Sequence, residues 1–367
     1  MTFNTALDSI KIYEAGLPIE LAVRKYGIAE YEVVKLASNE NPLGASPKAI
    51  DAIMKVAQNA HLYPDDSMYV LKESLAKHFN VTSNTLIIGA GSDQIIEFCI
   101  HAKANHTSKV LMAKTTFAMY EIYAKSVGAQ VIRTSSHEHN LQEFLEAYKA
   151  YKPAIIFLCI PNNPLGECLD SKETFEFLKQ VDSNCLVIID GAYQEYAKAK
   201  DSNKALNPKA LMEAFPNVIY TGTFSKAYGL GGMRVGYGIA NVKIIQALSK
   251  LRPPFNITTP SLAAAVVALE DTEHLQRSIE NNLEQMPLFE NFAREKGFKF
   301  TPSYTNFITY YLEYPLDSTE VAEYLFKKGM IIRNLASYGL NAIRITIGTH
   351  VQNEKFFALF NTYLKQK

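Results

Sequence analysis

Seven short apolar runs separated by helix-patterned segments constrain the fold of this chain more than any other feature. They begin near Leu86, Val110, Val131, Ile155, Leu186, Val218 and Val235. Apolar runs of strand length point to strands covered on both faces, because a sheet with one wet face would alternate apolar and polar residues. Their alternation with helical patterns predicts a largely parallel sheet with helices on both sides. The helix expected after Asp170 carries a start signal, Asp170 as cap and Glu173 in its first turn. Beyond about Asn241 the pattern changes. Helical stretches over 242–251, 261–270 and 273–296 precede strand-like runs at 306–312, 330–333 and 343–347. These predict a second, smaller α+β domain. The expected organisation is an N-terminal arm (1–30), a large domain (31–245) and a small domain (246–367), with no internal repeat, low-complexity tract or charged tail.

The ends of the apolar runs carry the chemistry. Asp190 closes Cys185-Leu186-Val187-Ile188-Ile189-Asp190, and Tyr193 follows it. Asn163 lies in Ile160-Pro161-Asn162-Asn163-Pro164-Leu165-Gly166, directly after the run ending at Cys159. Lys226 lies in Thr223-Phe224-Ser225-Lys226-Ala227-Tyr228-Gly229-Leu230-Gly231-Gly232-Met233-Arg234, after Val218-Ile219-Tyr220. The carboxyl edge of an open α/β sheet is where ligands bind. A lysine held against an apolar wall loses proton affinity and becomes a nucleophilic amine, as Schiff-base chemistry with a carbonyl requires. Pyridoxal phosphate fits this set of groups. Its aldehyde takes Lys226, its ring nitrogen needs the carboxylate of Asp190, and its phenolate oxygen suits Asn163 and Tyr193. Its phosphate suits Thr223, Ser225 and Arg234. It also suits Gly89-Ala90-Gly91-Ser92, where a strand ends and a helix N-terminus is expected to present free N–H groups.

These residues carry a resemblance. The chain resembles the fold-type I, class II-like aminotransferases and, within them, the histidinol-phosphate aminotransferases. The matching motifs are Leu36-Ala37-Ser38-Asn39-Glu40-Asn41-Pro42-Leu43-Gly44, Tyr63-Pro64, Gly89-Ala90-Gly91-Ser92-Asp93, Pro161-Asn162-Asn163-Pro164, Asp190-Gly191-Ala192-Tyr193, the lysine run, and Arg344-Ile345-Thr346-Ile347-Gly348-Thr349. They span nearly the whole chain in the family's order. The resemblance implies a fold-type I, pyridoxal-phosphate-dependent homodimer with a mainly parallel seven-stranded sheet in its large domain. It implies that Ala90, Gly91, Ser92 and Phe117 also contact the cofactor, Phe117 by stacking on the ring, and that the Tyr63 hydroxyl reaches the cofactor phosphate of a neighbouring subunit. Arg344, Arg333, Tyr13 and Asn39 are the implied substrate contacts. The implied substrates are L-histidinol phosphate and 2-oxoglutarate, with glutamate as product, in histidine biosynthesis. An aromatic amino-acid aminotransferase and a threonine-phosphate decarboxylase are the alternatives on the same fold. The chain departs from the family at Leu165 (commonly threonine), Gly191 (glutamate), Ala90 (asparagine) and Thr115 (proline). None of these removes a reacting group, but Gly191 is expected to loosen its turn.

Composition narrows the rest. Lys plus Arg and Asp plus Glu are 37 each, so no global field recruits nucleic acid. No apolar run approaches membrane-spanning length, and the first residues have neither a basic region nor an apolar stretch, so no secretory signal is expected. Cys99, Cys159, Cys168 and Cys185 form no CxxC pair and are expected to be reduced structural thiols of a cytoplasmic protein. His137-Glu138-His139 has no third ligand nearby, so no metal is expected and the run is expected to be solvated. Pro253-Pro254-Phe255-Asn256 is expected to join the two domains.

Overall fold

The computed structural model describes residues 1–13 and 16–367. In chain order its strands are β1 (Val34–Leu36), β2 (Leu86–Gly89), β3 (Lys109–Met112), β4 (Gln130–Arg133), β5 (Ile155–Cys159), β6 (Leu186–Asp190), β7 (Val218–Thr223), β8 (Gly236–Ala240), β9 (Lys299–Phe300), β10 (Phe307–Tyr311), β11 (Met330–Asn334) and β12 (Ala342–Thr346). They form two sheets. The first has seven strands in the order β2-β8-β7-β6-β5-β3-β4 and is parallel except at β8, which runs against both its neighbours. The second has five strands in the order β1-β11-β12-β10-β9.

Every residue of β5, β6 and β7 is buried, as the continuous apolar runs require. Successive side chains alternate between two cores. Leu111, Ile156, Leu158, Val187 and Ile189 meet one face, against the helices Tyr69–Phe79, Leu141–Tyr151 and Thr259–Glu270. Val110, Met112, Ile155, Phe157 and Ile188 meet the other, against Gly91–Lys103, Ala118–Ser126 and Val242–Ser249. The five-stranded sheet has its own core, in which Ile308, Tyr310, Ile332, Ile343 and Ile345 pack on Phe289, Phe292, Phe356 and Phe360.

Two segments cross the expected domain boundaries. Val34–Leu36 lies within 31–245 yet pairs in parallel with β11, in the five-stranded sheet. Thr259–Glu270 lies beyond 245 yet buries Ala264, Ala265 and Ala268 in the core of the seven-stranded sheet. Strands β1 and β9 were not expected; at three and two residues they are too short for a pattern to register. The helix Ser171–Leu178 starts at the expected place, but the Asp170 side chain makes no capping bond. Its carboxylate instead receives Lys204 Nζ at 2.9 Å.

Candidate active site

Strands β5, β6 and β7 are parallel neighbours, so their carboxyl ends lie side by side. Asp190 is the last residue of β6, Thr223 is the last of β7, and the loop after β5 runs through Asn163. A cavity of about 130 Å³ opens at this edge, lined by Ser92, Asp93, Phe117, Cys159, Asn163, Asp190, Ala192, Tyr193, Thr223, Ser225, Lys226 and Arg234. Nine residues expected at the cofactor thus share one cavity: Lys226, Asp190, Asn163, Tyr193, Phe117, Ser92, Thr223, Ser225 and Arg234.

Lys226 Nζ donates to the Ser38 carbonyl at 3.2 Å and sits 5.7 Å from the Tyr193 ring centroid. Burial, reinforced by the positive charge of Arg344, lowers its pKa to about 8. A larger share of neutral amine therefore exists near neutral pH than for a solvated lysine. Asp190 is buried and receives the Tyr120 hydroxyl at 2.6 Å and the Ala192 N–H at 3.2 Å. Burial pushes its pKa up, and the two donors pull it back. The Tyr193 hydroxyl accepts from Asn39 Nδ2 at 2.8 Å.

At the other end, Arg234 Nη1 donates to Ser225 Oγ at 3.2 Å, and Thr223 Oγ1 donates to Ser225 Oγ at 3.0 Å. Gly91 opens its helix at φ +79°, and a Cβ there would lie 2.5 Å from Arg234 Nη2, so the guanidinium occupies the space a side chain would fill. No side chain caps that helix, which leaves its first N–H groups facing the Ser92 corner. Hydroxyls, a guanidinium and a helix N-terminus suit a phosphate. One group opposes an anion there. Asp93 is held by Tyr123 at 2.7 Å, its second carboxyl oxygen has no partner, and burial raises its proton affinity. With an amine, a carboxylate, neutral donors and a phosphate corner in one cavity, the donor set fits pyridoxal phosphate from aldehyde to phosphate.

The expected substrate contacts come from the second sheet and the N-terminal segment. Arg344 on β12 is buried, donates to Asn163 Oδ1 and, at 2.8 Å, to the Ala37 carbonyl, and stacks 4.9 Å from the Phe307 ring. Its Nε is buried without a hydrogen bond. Arg333 on β11 stands directly across the ladder from Arg344. Arg333 and Tyr13 line a neighbouring groove of about 720 Å³ with Tyr338. Asn39 is held at φ 57° by Thr346 and Asn306.

Three residues expected at the cofactor do not line this cavity: Gly91, which packs on Arg234, Ala90, and Tyr63, whose expected place is a neighbouring subunit's phosphate. Tyr63 is 83% exposed and stacks on Phe255 at 4.6 Å, away from this chain's cavity. The Ala90 N–H is engaged by Gln94 Oε1 at 2.8 Å. The structure also corrects two expectations. Gly191 is not loose: its N–H bonds the Thr221 carbonyl at 2.8 Å, and the Tyr220 ring fills the space where a Cβ would stand, within 2.5 Å. His139 is not solvated, since its side chain is 1% exposed and hydrogen-bonded. No cluster of His, Cys, Asp or Glu suited to a metal occurs among the described residues. The sequence reading missed Tyr120 and Ser38. Tyr120 had a usable signal, since a tyrosine in the first turn of a buried helix needs a partner for its hydroxyl.

The model of the family aminotransferase class I and II matches residues 31–359. The histidinol-phosphate aminotransferase of Wolinella succinogenes is 59% identical over 366 residues, covering 100% of both chains. Among solved structures, the histidinol-phosphate aminotransferase from Sinorhizobium meliloti, in complex with pyridoxal-5'-phosphate, superposes with a TM-score of 0.87 at 24% identity, covering 97% of this chain and 95% of that one. The L-threonine-O-3-phosphate decarboxylase from Porphyromonas gingivalis superposes with a TM-score of 0.77 at 21% identity, covering 91% of this chain and 100% of that one. Structural likeness at such identity speaks to the fold alone, whereas the full-length match at 59% and the family model carry the assignment: the chain belongs to the class I and II aminotransferases.

Proposed function

We propose that this enzyme uses pyridoxal phosphate to move the amino group of L-histidinol phosphate to 2-oxoglutarate, giving 3-(imidazol-4-yl)-2-oxopropyl phosphate and L-glutamate in histidine biosynthesis. The observation that carries the reading is the meeting of Lys226, Asp190, Asn163 and Tyr193 in one cavity under Arg344. The name of the full-length relative supports the choice of substrate.

When bound, pyridoxal phosphate supplies an aldehyde that captures amines and a ring that withdraws electrons from the adjacent carbon. Lys226 would hold that aldehyde, and its amine, once free, would carry a proton at the substrate carbon, first as base and then as acid. Asp190, oriented by Tyr120 and Ala192, would keep a proton on the ring nitrogen. Asn163 and Tyr193 would serve the phenolate oxygen. Phe117 would cover the ring, and Ser92, Thr223, Ser225 and Arg234 would hold the phosphate with the first turn of Gly91–Lys103. Arg344 and Arg333, with Tyr13 and Asn39 nearby, receive either a carboxylate or a phosphate monoester, since the guanidinium fork pairs with both.

The chain is read as an arm, a large domain and a small domain, with Val34–Leu36 contributed to the small one. The exposed apolar residues Leu62, Tyr63, Tyr69, Val70 and Phe255 support a homodimer, in which Tyr63 would serve the partner's phosphate. Four free, buried cysteines support a reducing, cytoplasmic setting.

The test is a coupled glutamate assay with histidinol phosphate, histidinol, phenylalanine and threonine phosphate side by side. Histidinol phosphate should lead by a wide margin in kcat/KM. Equal values for histidinol and its phosphate, a preference for phenylalanine, or carbon dioxide release from threonine phosphate would overturn the reading.

A further inference from the structure

The run His137-Glu138-His139 lies outside the cavity, and each of its residues bonds a different segment: His137 the loop before Phe117, Glu138 the segment after β9, and His139 the end of β5, where Cys159 lines the cavity. His137 Nδ1 bonds Thr115 Oγ1 at 2.7 Å, and its carbonyl accepts the Thr115 N–H at 3.3 Å. Glu138 receives Thr301 Oγ1 at 3.0 Å, from the segment that follows β9. His139 Nε2 accepts the Cys159 N–H at 3.2 Å, so its proton sits on Nδ1, which faces Glu167 Oε1 at 3.1 Å. Its ring is fixed against Phe144, with centroids 5.5 Å apart.

Glu167 is the hub. Its Oε1 also receives the His139 N–H at 3.0 Å and Asn162 Nδ2 at 2.7 Å. The same Asn162 amide donates to the Thr115 carbonyl at 3.0 Å. The contacts close a ring: His137, Thr115, Asn162, Glu167 and His139, the last joined back to His137 through the chain. Thr115 stands two residues before Phe117, and Asn162 is bonded to Asn163. The ring thus clamps the two loops that bring Phe117 and Asn163 to the cavity. Both loops follow parallel strands and have no ladder of their own to fix their spacing. The donors of this network are paired, while Asn162 Oδ1 and Glu167 Oε2 are buried without a partner, so its hold on the two loops comes from the bonds to Glu167 Oε1 and the Thr115 carbonyl.

We propose that His137, His139 and Glu167 are positioning residues that set the separation of the Phe117 and Asn163 loops, and with it the width of the slot for the cofactor ring. The proposal rests on the reading of the cavity as the pyridoxal-phosphate site. Thr115, where the family commonly has proline, belongs to the device, because its hydroxyl supplies the tie to His137 that a proline could not.

The test uses purified apoprotein. Hydrogen exchange is measured for peptides covering 113–118 and 160–167, with 186–190 and 218–223 as controls, and pyridoxal phosphate is titrated by its visible absorbance. In Glu167→Ala, exchange should rise in both loop peptides and not in the controls, with a single cooperative melt. Cofactor affinity should fall roughly 10-fold, as for the loss of one charge-assisted hydrogen bond. Thr115→Val should loosen only the 113–118 peptide, and Thr115→Ser should restore it. If Glu167→Ala does not melt cooperatively, the Thr115 pair decides alone. Unchanged exchange in the folded variants, or a rise spread evenly over loops and controls, overturns the proposal. Failure of the wild-type apoprotein to bind pyridoxal phosphate would instead remove the reading of the cavity and leave the exchange result standing.

Discussion

The two ends of the site are built in different ways. The end proposed for the phosphate, Ser92, Thr223, Ser225 and Arg234, is built at the ends of the neighbouring strands β2, β7 and β8 of the seven-stranded sheet, and it is packed until no Cβ fits at Gly91. The end proposed for the substrate joins Arg344 and Arg333 of the five-stranded sheet to Tyr13 and Asn39 of the N-terminal segment, beside a groove of about 720 Å³. The first is rigid because one sheet makes it. The second is correct only when segments some 300 residues apart, such as Asn39 and Thr346, are in register. Damage to the first end should therefore appear in cofactor affinity, and damage to the second in substrate selection.

Lys226, between the two ends, should give the largest effect. Lys226→Ala should fold, lose the visible absorbance of lysine-bound cofactor and lose turnover by roughly 10²–10⁴-fold or more. A normal band that borohydride traps on another lysine would exclude Lys226. Asp190→Asn should follow, cutting kcat roughly 10- to 100-fold with a smaller change in cofactor occupancy, because a charge-assisted hydrogen bond is lost where charge develops. Steady-state kinetics at saturating cofactor measure it.

Two substitutions then cross the comparison. Arg344→Lys should weaken both half-reactions by about 10-fold, because a point charge replaces a bidentate fork, while cofactor affinity holds. Gly91→Ala should do the reverse, weakening cofactor binding by about 10-fold, since it combines φ +79° with a Cβ 2.5 Å from Arg234. At saturating cofactor the KM for amino substrate should then be near normal. If both variants move the same constant, the two ends are not separable.

The smallest effect is on stability. Burial depresses the pKa of Lys226 to about 8 in the fold, from the 10.5 ordinary for a lysine. The unfolded chain therefore binds more protons between those values, and stability rises with pH there. The cost of the buried charge is present in full below about pH 8 and is relieved as pH approaches 10.5. Apoprotein should gain on Lys226→Met across that window in denaturant melts, and a constant difference would remove the effect.

Much of the first end was legible in the sequence, and less of the second. Strands β2, β3 and β5 to β8 announce themselves because both faces are buried, whereas the edge strand β4 has only Ile132 buried, and Asp190, Asn163 and Lys226 stand out as polar residues closing apolar runs. Arg344 and Arg333 fall in strand-like runs, but their facing register depends on pairings no local pattern encodes. The same holds for Val34–Leu36, whose three residues carry no period. Histidine 139 was misjudged because its sequence neighbours are polar, while its burial comes from Phe144 and the end of β5. The tightness at Gly191 was hidden because the ring that fills it, Tyr220, belongs to another strand.

The pairing of β1 with β11 also sets an order of events during synthesis. Val34 cannot meet Met330 until the ribosome has made nearly the whole chain. At about 5–20 residues per second the early segment waits roughly 15–60 s, while the seven-stranded sheet can already assemble. Asn39 and Ser38, which hold Tyr193 and Lys226, wait with it. The nascent protein would thus own a phosphate corner before it owns a substrate pocket, and its apolar N-terminal segment is the part a chaperone would meet exposed.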